Sequence, residues 1–491
     1  MRRTIAATIA APTLAILLAP LVAQPAHAQY GESALYNFCS AGGSACSDGS
    51  ATHAGLVSDS QGNLYGVTPS GGIHDGGTVF ELSPPAGSGS PWSETVLYSF
   101  CSQSNCVDGK APDWATPILD SQGNLYGVTA SGGAYNAGAV FELNSPAGGS
   151  GSWTESVLYS FTCAPNSQSC SDGEAPLGRL VFDSQGNLYG TTVGGGPGGS
   201  SGGGVVFELS PPVGGSGAWT EKLLYEFSTS GDGGWYPRSG LLLDAKGNLY
   251  GTTYEGGAEG NGTAYELSPA TSGSGPWTKT ILYSFCRNLG ACVDGASPHG
   301  ELIFDAQGNL YGTTVYAGAN AGGDYDDYGV VFELSPPASG SGPWTQKVLY
   351  SFCARSNCSD GQAPFSALVF DSSGNLYGTT ESGGAYGGGA VFEVTPHGGG
   401  SWTETVLHSF CSQGCSDGTE PYAALIRDVQ GNLYSTTVSG GAHGQGTVFE
   451  VLPGGSSSLI ALTSSPEPSN YGETVTLAAT VSSSSGMPTG L

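Results

Sequence analysis

The sequence holds 491 residues, with 12 Lys and Arg against 40 Asp and Glu, for a formal net charge of −28. A chain this acidic repels phosphate backbones and anionic bilayers, which excludes a nucleic-acid partner and charge-driven membrane attachment. Glycine is abundant at 83 residues, yet the aromatic residues recur too regularly for a disordered chain, so a secreted all-β protein rich in tight turns fits best.

The chain opens with two arginines, runs from residue 5 to 23 without a charge, and offers the small-x-small site Ala26-His27-Ala28 before Gln29. Residues 1–28 therefore read as a secretory signal peptide, and the expected compartment is extracellular. Loss of Arg2 and Arg3 with that peptide takes the formal charge from −28 to −30. No later stretch reaches the roughly 18 uninterrupted apolar residues of a membrane span, so direct membrane insertion is not expected.

From residue 29 to 453 one phrase organises everything: Asp-x-x-Gly-Asn-Leu-Tyr-(Gly/Ser)-x-Thr. It starts at Asp59, Asp120, Asp183, Asp244, Asp305, Asp371 and Asp428, at intervals of 61, 63, 61, 61, 66 and 57 residues. Within the third repeat, residues 180–182 read as a first strand ending at the turn Asp183, and 187–192 as the returning strand. Residues 205–209 and 219–227 make the third and fourth. Four antiparallel strands repeated seven times predict a seven-bladed β-propeller. The ends fit a closed ring. Residues 35–38 form a fourth-strand segment with no blade before it, while the last repeat stops at its third strand, 447–451. The amino-terminal strand is expected to complete the last blade and remove an exposed sheet edge.

Twelve cysteines form six close pairs: Cys39 with Cys46, Cys101 with Cys106, Cys163 with Cys170, Cys286 with Cys292, Cys353 with Cys358, and Cys411 with Cys415. Each pair follows a fourth strand and precedes Asp-Gly. An even count at repeat-locked places in an exported chain predicts local disulfides, and no His or second Cys pair lies close enough in sequence to make zinc sites. The loop after Phe227 has Ser228-Thr229-Ser230 in place of the bridge.

Residues 454–491 begin with a Gly/Ser linker. The stretches 459–463 and 471–481 that follow resemble the first two strands of a bacterial immunoglobulin-like domain. The repeat itself, with Gly-Asn-Leu-Tyr-Gly-Thr-Thr, Gly-x-Val-Phe-Glu-Leu and Trp-Thr-Glu-x-Val-Leu-Tyr-Ser-Phe, resembles that of the bacterial choice-of-anchor tandem repeat GloVer-containing proteins. The resemblance implies an exported protein, usually held at the cell surface by a carboxy-terminal anchor. It carries no established activity.

Residues identical in every repeat are assigned to structure: the turn aspartates, and the six tryptophans Trp92, Trp153, Trp219, Trp277, Trp344 and Trp402, expected to pack between blades. Positions that vary inside this constant frame are the candidates for binding. Six residues before each turn aspartate stand His53, Trp114, Leu177, Arg238, His299, Phe365 and Tyr422. Two residues on stand Gly55, Thr116, Arg179, Gly240, Glu301, Ala367 and Ala424. Strand alternation puts both columns on one face, and in a propeller the first column forms a ring at one mouth of the central channel. The candidate ligand-binding residues are His53, Trp114, Arg179, Arg238, His299, Glu301, Phe365 and Tyr422. The insertion 322–328 offers Asp324, Asp326 and Asp327 as calcium candidates, against a solvated acidic loop.

No catalytic residue is assigned, because the chain has neither a Gly-x-Ser-x-Gly elbow with partners nor a His-Glu-x-x-His motif. The leading expectation is a monomeric, non-catalytic binding module for an extracellular glycan or protein. The alternatives are a metal-dependent propeller hydrolase or lyase using His53, His299 and Glu301, and a structural spacer presenting immunoglobulin-like domains.

Overall fold

The computed structural model describes residues 31–452, apart from 41–45, 88–89, 147, 149–150, 165–169, 198–201, 216, 231–232, 271–274, 288–291, 323–325, 339–341 and 413, together with 459–465 and 476–482. The expected signal peptide and the linker at 454–458 lie outside the described residues.

The repeats fold as expected into seven antiparallel sheets. In the third, Val181–Phe182, Leu188–Gly194, Gly202–Ser210 and Thr220–Ser228 pair in sequence order. The seventh blade takes its fourth strand from the start of the chain. Gly31–Asn37 pairs with Thr447–Leu452, with Gly31 opposite Leu452 and Asn37 opposite Thr447. The ring is closed by this antiparallel pairing, as the complementary ends predicted. Leu459–Ser465 and Thr476–Ser482 pair with each other as a two-stranded antiparallel ribbon.

What holds blade to blade is an aromatic pair, repeated seven times. The phenylalanine ending each fourth strand meets an aromatic ring in the third strand of the next blade, edge to face in six of the seven pairs and tilted between Phe285 and Phe332. Phe100 and Phe141 lie 5.0 Å apart, Phe161 and Phe207 5.2 Å, and Phe352 and Phe392 5.0 Å. Across the closure, Phe38 meets Phe80 at 5.2 Å. All eight of these rings are fully buried. Such pairs add about 0.5–1.5 kcal/mol beyond their area burial. The glycine of Leu-Tyr-Gly makes room for the third-strand ring, since a Cβ at Gly190 would lie 2.5 Å from Phe207 Cζ. The six tryptophans pack into the same inter-blade clusters, for example Trp153 on Tyr65 at 6.2 Å and Trp92 on Tyr434 at 6.3 Å.

The turn aspartates are satisfied within their own hairpins. Asp59 Oδ1 accepts from the backbone N–H groups of Gln61 and Asn63, and Oδ2 from Asn63 Nδ2 and the Tyr65 hydroxyl. The same set recurs at Asp305, where burial pushes the carboxyl up but these hydrogen bonds outweigh it and hold the carboxyl below its ordinary range.

All six expected disulfides are present, pairing the cysteines as their spacing predicted. Cys39 is bonded to Cys46, Cys101 to Cys106, and Cys163 to Cys170. Cys286 is bonded to Cys292, Cys353 to Cys358, and Cys411 to Cys415. No free cysteine remains. The loops do not all close in one way. Cys46, Cys106, Cys358 and Cys415 turn back toward their partners with a left-handed backbone, whereas Cys170 and Cys292 keep ordinary φ and are only 1% exposed. Because Cys163 and Cys170 spend their sulfurs on each other, their closeness to Glu174 leaves no thiolate to bind a metal there.

The first strand of each blade is shorter than the sequence suggests, only two residues, such as Val57–Ser58 and Ile426–Arg427. The segment before it lies outside the ladder, and in four blades one of its carbonyls accepts from a threonine of the preceding blade. Thr191 Oγ1 donates to Ser239 O at 3.0 Å, Thr313 to Ser366 O at 2.8 Å, and Thr436, across the closure, to Ala54 O at 3.0 Å. In the third and fifth blades the chain rejoins the far end of the second strand through Glu174–Pro176 and Ala296–Pro298.

Truncating one ring of an inter-blade pair should cost about 3–5 kcal/mol. Phe352→Ala is expected to lower the urea midpoint of unfolding accordingly. A midpoint equal to that of the unmodified protein would show that the blades are held by something else.

Candidate functional site

The segments that leave their ladders carry the two variable columns, and the seven blades bring all fourteen residues around one central cavity of about 430 Å³. The first column does not stand as an open ring. Its aromatic members collapse onto one another across the channel axis. Trp114 stacks on His53 at 4.7 Å and reaches the opposite blades, with His299 at 4.9 Å, Phe365 at 6.1 Å and Tyr422 at 5.4 Å. Phe365 in turn lies 4.9 Å from Tyr422 and 5.1 Å from His299. Together they form an aromatic layer across one end of the channel. Trp114 holds a left-handed backbone with φ of 60°, unusual for a bulky residue, and its amide donates to Asp113 Oδ1.

Three polar side chains steady this layer, and none of them was singled out from sequence. Asp113 Oδ1 lies 2.8 Å from His53 Nδ1, which fixes the imidazole face presented to Trp114. Tyr254 supports Arg238, whose guanidinium lies 4.3 Å above its ring, and its hydroxyl donates to Tyr316 at 3.2 Å. A related contact joins the Tyr422 hydroxyl to Glu381. Tyr254 and Glu381 share a signal that could have found them. Both stand immediately after the Gly-Thr-Thr strand, where the chain has Pro69, Ala130, Val193, Tyr254, Val315, Glu381 and Val438.

Below the layer the second column makes the wall. Glu301 reaches to the fourth blade, where a Cβ at Gly240 would lie 2.3 Å from its Oε1, so the carboxylate occupies space that glycine leaves open. Its Oε2 faces Arg179 Nη1 at 3.8 Å. Burial raises the Glu301 carboxyl above its ordinary range, partly offset by Arg179. Gly55 N donates to Thr116 Oγ1, linking the first two blades at the wall. At the opposite mouth the lining includes Ser58 and Arg427, both exposed. Of the charged side chains around the cavity, Arg179, Arg238 and Arg427 face a single carboxylate, Glu301. After residue 28 the chain has only five arginines, and three of them are here.

The ligand set imagined for a catalytic metal is not assembled. Among the described residues, His53, His299 and Glu301 do not form a cluster of ligand atoms, His53 being engaged by Asp113 and Glu301 facing Arg179. His299 is 8% exposed, and burial first, then the charges of Arg238 and His53, push its imidazole down to about 3, against a hydrogen bond with the Phe365 backbone. It is held neutral, as a ring among rings. Of the calcium candidates, Asp324 lies outside the described residues. Asp326 Oδ2 accepts from the Gly322 amide, and Asp327 lines a separate cavity with Tyr254, Glu255, Asn261 and Tyr316.

His299 gives a pH test of the aromatic layer. Its folded pKa lies below the unfolded value of 6.5, so the unfolded chain takes up a proton that the folded chain refuses. That contribution is absent above about pH 6.5 and destabilises progressively below it. Between pH 7 and pH 5 the unmodified protein should lose about 2 kcal/mol more unfolding free energy than His299→Phe. Equal losses in urea titrations would show that His299 is not buried in this way.

Among curated proteins, none matches the sequence. Among solved structures, a protein of unknown function from Dyadobacter fermentans aligns at 12% identity and a TM-score of 0.39, over 76% of this chain and 96% of that one. An exo-1,5-alpha-L-arabinanase from a bovine ruminal metagenomic library aligns at 12% identity and 0.31, over 60% and 95%, and an inulosucrase from Halalkalicoccus jeotgali bound to kestose at 12% and 0.35, over 62% and 85%. Likenesses this distant transfer no activity. The repeat is more specific: a family model, the Gloeobacter/Verrucomicrobia repeat, matches residues 25–216, 166–357 and 316–486. With those overlapping matches running through all seven blades, the chain belongs to the Gloeobacter/Verrucomicrobia repeat family.

Proposed function

We propose that this protein is a non-catalytic extracellular binding module whose central channel receives a carboxylate-bearing unit of a glycan. The observation that carries the reading is the charge of the cavity: three arginines against one carboxylate, inside a chain whose formal charge is −28. Arginine matches a carboxylate with two parallel N–H donors, and its hold strengthens where water is excluded. The Arg238 Nε is buried and has no hydrogen-bond partner in the protein, which suits an acceptor supplied by a ligand. Aromatic faces at the closed end suit the apolar face of a sugar ring. A volume of about 430 Å³ lies in the range of small-molecule sites. Six disulfides fit an oxidising, extracellular setting.

The test is calorimetric titration with short oligosaccharides of hexuronic acids and with their neutral counterparts. The acidic sugars should bind, the neutral ones at least about tenfold more weakly, since hydrogen bonds to a charged group contribute about 1.5–3 kcal/mol. Arg427→Gln, at the open mouth, should weaken the acidic sugar by about tenfold while leaving the fold unchanged. Equal affinity for both sugar classes would remove the anionic reading, and no binding of either would favour the structural spacer.

A further inference from the structure

Outside the channel, one repeated constellation exchanges its tyrosine for a histidine at a single place. Among the described residues, the aspartate of the Asp-Gly that follows a fourth strand is held by a side chain of that strand. Tyr36 donates to Asp48, Tyr98 to Asp108, Tyr159 to Asp172, Tyr283 to Asp294 and Tyr350 to Asp360, at 2.6–2.9 Å. A glutamate from the next blade's fourth strand often joins them, as Glu94 does beside Asp48 and Glu155 beside Asp108. A phenol is a poor metal ligand at neutral pH, because it keeps its proton. In the sixth blade the tyrosine is replaced by His408. Its Nε2 lies 3.2 Å from Asp417 Oδ2, and the glutamate that completes the group is Glu32. One ligand atom from each of the three lies within 4.8 Å of the others.

We propose that His408, Asp417 and Glu32 form a binding site for one divalent transition-metal ion of the zinc class. Imidazole nitrogen and carboxylate oxygen are the donor types zinc takes, and three protein ligands leave a position for water. Two carboxylates neutralise a dication, which suits a half-buried place. Glu32 Oε1 is buried with no hydrogen-bond partner in the protein, as is Oε1 of Glu94, Glu155 and Glu221 at the tyrosine-bearing places, and only here does such an acceptor meet an imidazole. His408 already directs Nε2 at Asp417, and it is the neutral imidazole with its hydrogen on Nδ1 that offers Nε2 to a metal.

The position gives the site a purpose. Glu32 sits on Gly31–Asn37, the strand that closes the ring, whereas His408 lies on the fourth strand of the sixth blade, Trp402–Ser409, and Asp417 in the loop after it. A bound ion ties the closing strand to the neighbouring blade. Because it binds the folded ring and not the open chain, it stabilises the ring in proportion to the logarithm of its concentration.

The experiment uses the secreted form of the full chain, without a polyhistidine tag, freed of metal by chelation and titrated with zinc chloride. One equivalent should bind, and the unfolding temperature should rise with added zinc. His408→Tyr restores the residue used elsewhere in the chain, so it should fold, yet bind no zinc at this stoichiometry and show no thermal shift. Glu32→Gln, a nearly isosteric second variant, should weaken binding by more than about tenfold. Failure of the unmodified protein to bind zinc would overturn the proposal. So would an unchanged zinc response in both variants, which would place the ion on other surface groups.

Discussion

The fold depends on one contact: a phenylalanine at the end of a fourth strand meeting the edge or face of the ring in the next blade, as in Phe352 and Phe392. The pair is fully buried, and the glycine beside it leaves no room for a Cβ. Around it gather the tryptophan that opens the fourth strand and the tyrosine of the hairpin, here Trp402 and Tyr311. Because each contact joins neighbours, the sheets must form a ring or leave an edge open. The amino-terminal strand, with Phe38 against Phe80, closes it. Fixing seven blades in this way also fixes the positions of the seven segments at the centre.

Much of this architecture was legible because it is written seven times. Asp-x-x-Gly-Asn marks a hairpin whose hydrogen bonds are all local. The cysteine pairs, such as Cys411 and Cys415, are separated by few residues, so sequence neighbourhood and spatial neighbourhood coincide. The complementary ends announced the closure. The central site was legible only as a list. Strand alternation was the reason to group His53 with Gly55 and His299 with Glu301; the structure sets both columns around one cavity although they lie outside the strands. What it could not convey is that Trp114 reaches across the channel to His299 and Phe365, which belong to blades three and four repeats away. Such contacts depend on channel diameter, which no local pattern encodes. Asp113 and Tyr254 escaped for the same reason: their importance lies in a partner, His53 or Arg238, contributed by another blade or segment.

The innermost strands teach a related lesson. An apolar run beside a turn reads as a strand of ordinary length, but its preceding residues lie outside the ladder, and in four blades one of their carbonyls accepts from a threonine of the adjacent blade. Freed from the ladder, these segments take unusual backbone shapes, including the left-handed Trp114. Variation is concentrated where the ladder is absent. The constant frame and the variable centre are two consequences of one arrangement, in which strand pairing holds the blades and leaves the axis to side chains.

The centre also concentrates positive charge in an acidic protein, and the proposed role rests on that contrast. The most direct measurement is a crystal structure of the protein soaked with a hexuronic acid oligosaccharide. The account predicts density for one sugar unit inside the channel, its carboxylate within hydrogen-bond reach of at least one of Arg179, Arg238 and Arg427. A vacant channel at saturating ligand, or sugar bound only on the tryptophans of the outer strands, would contradict it.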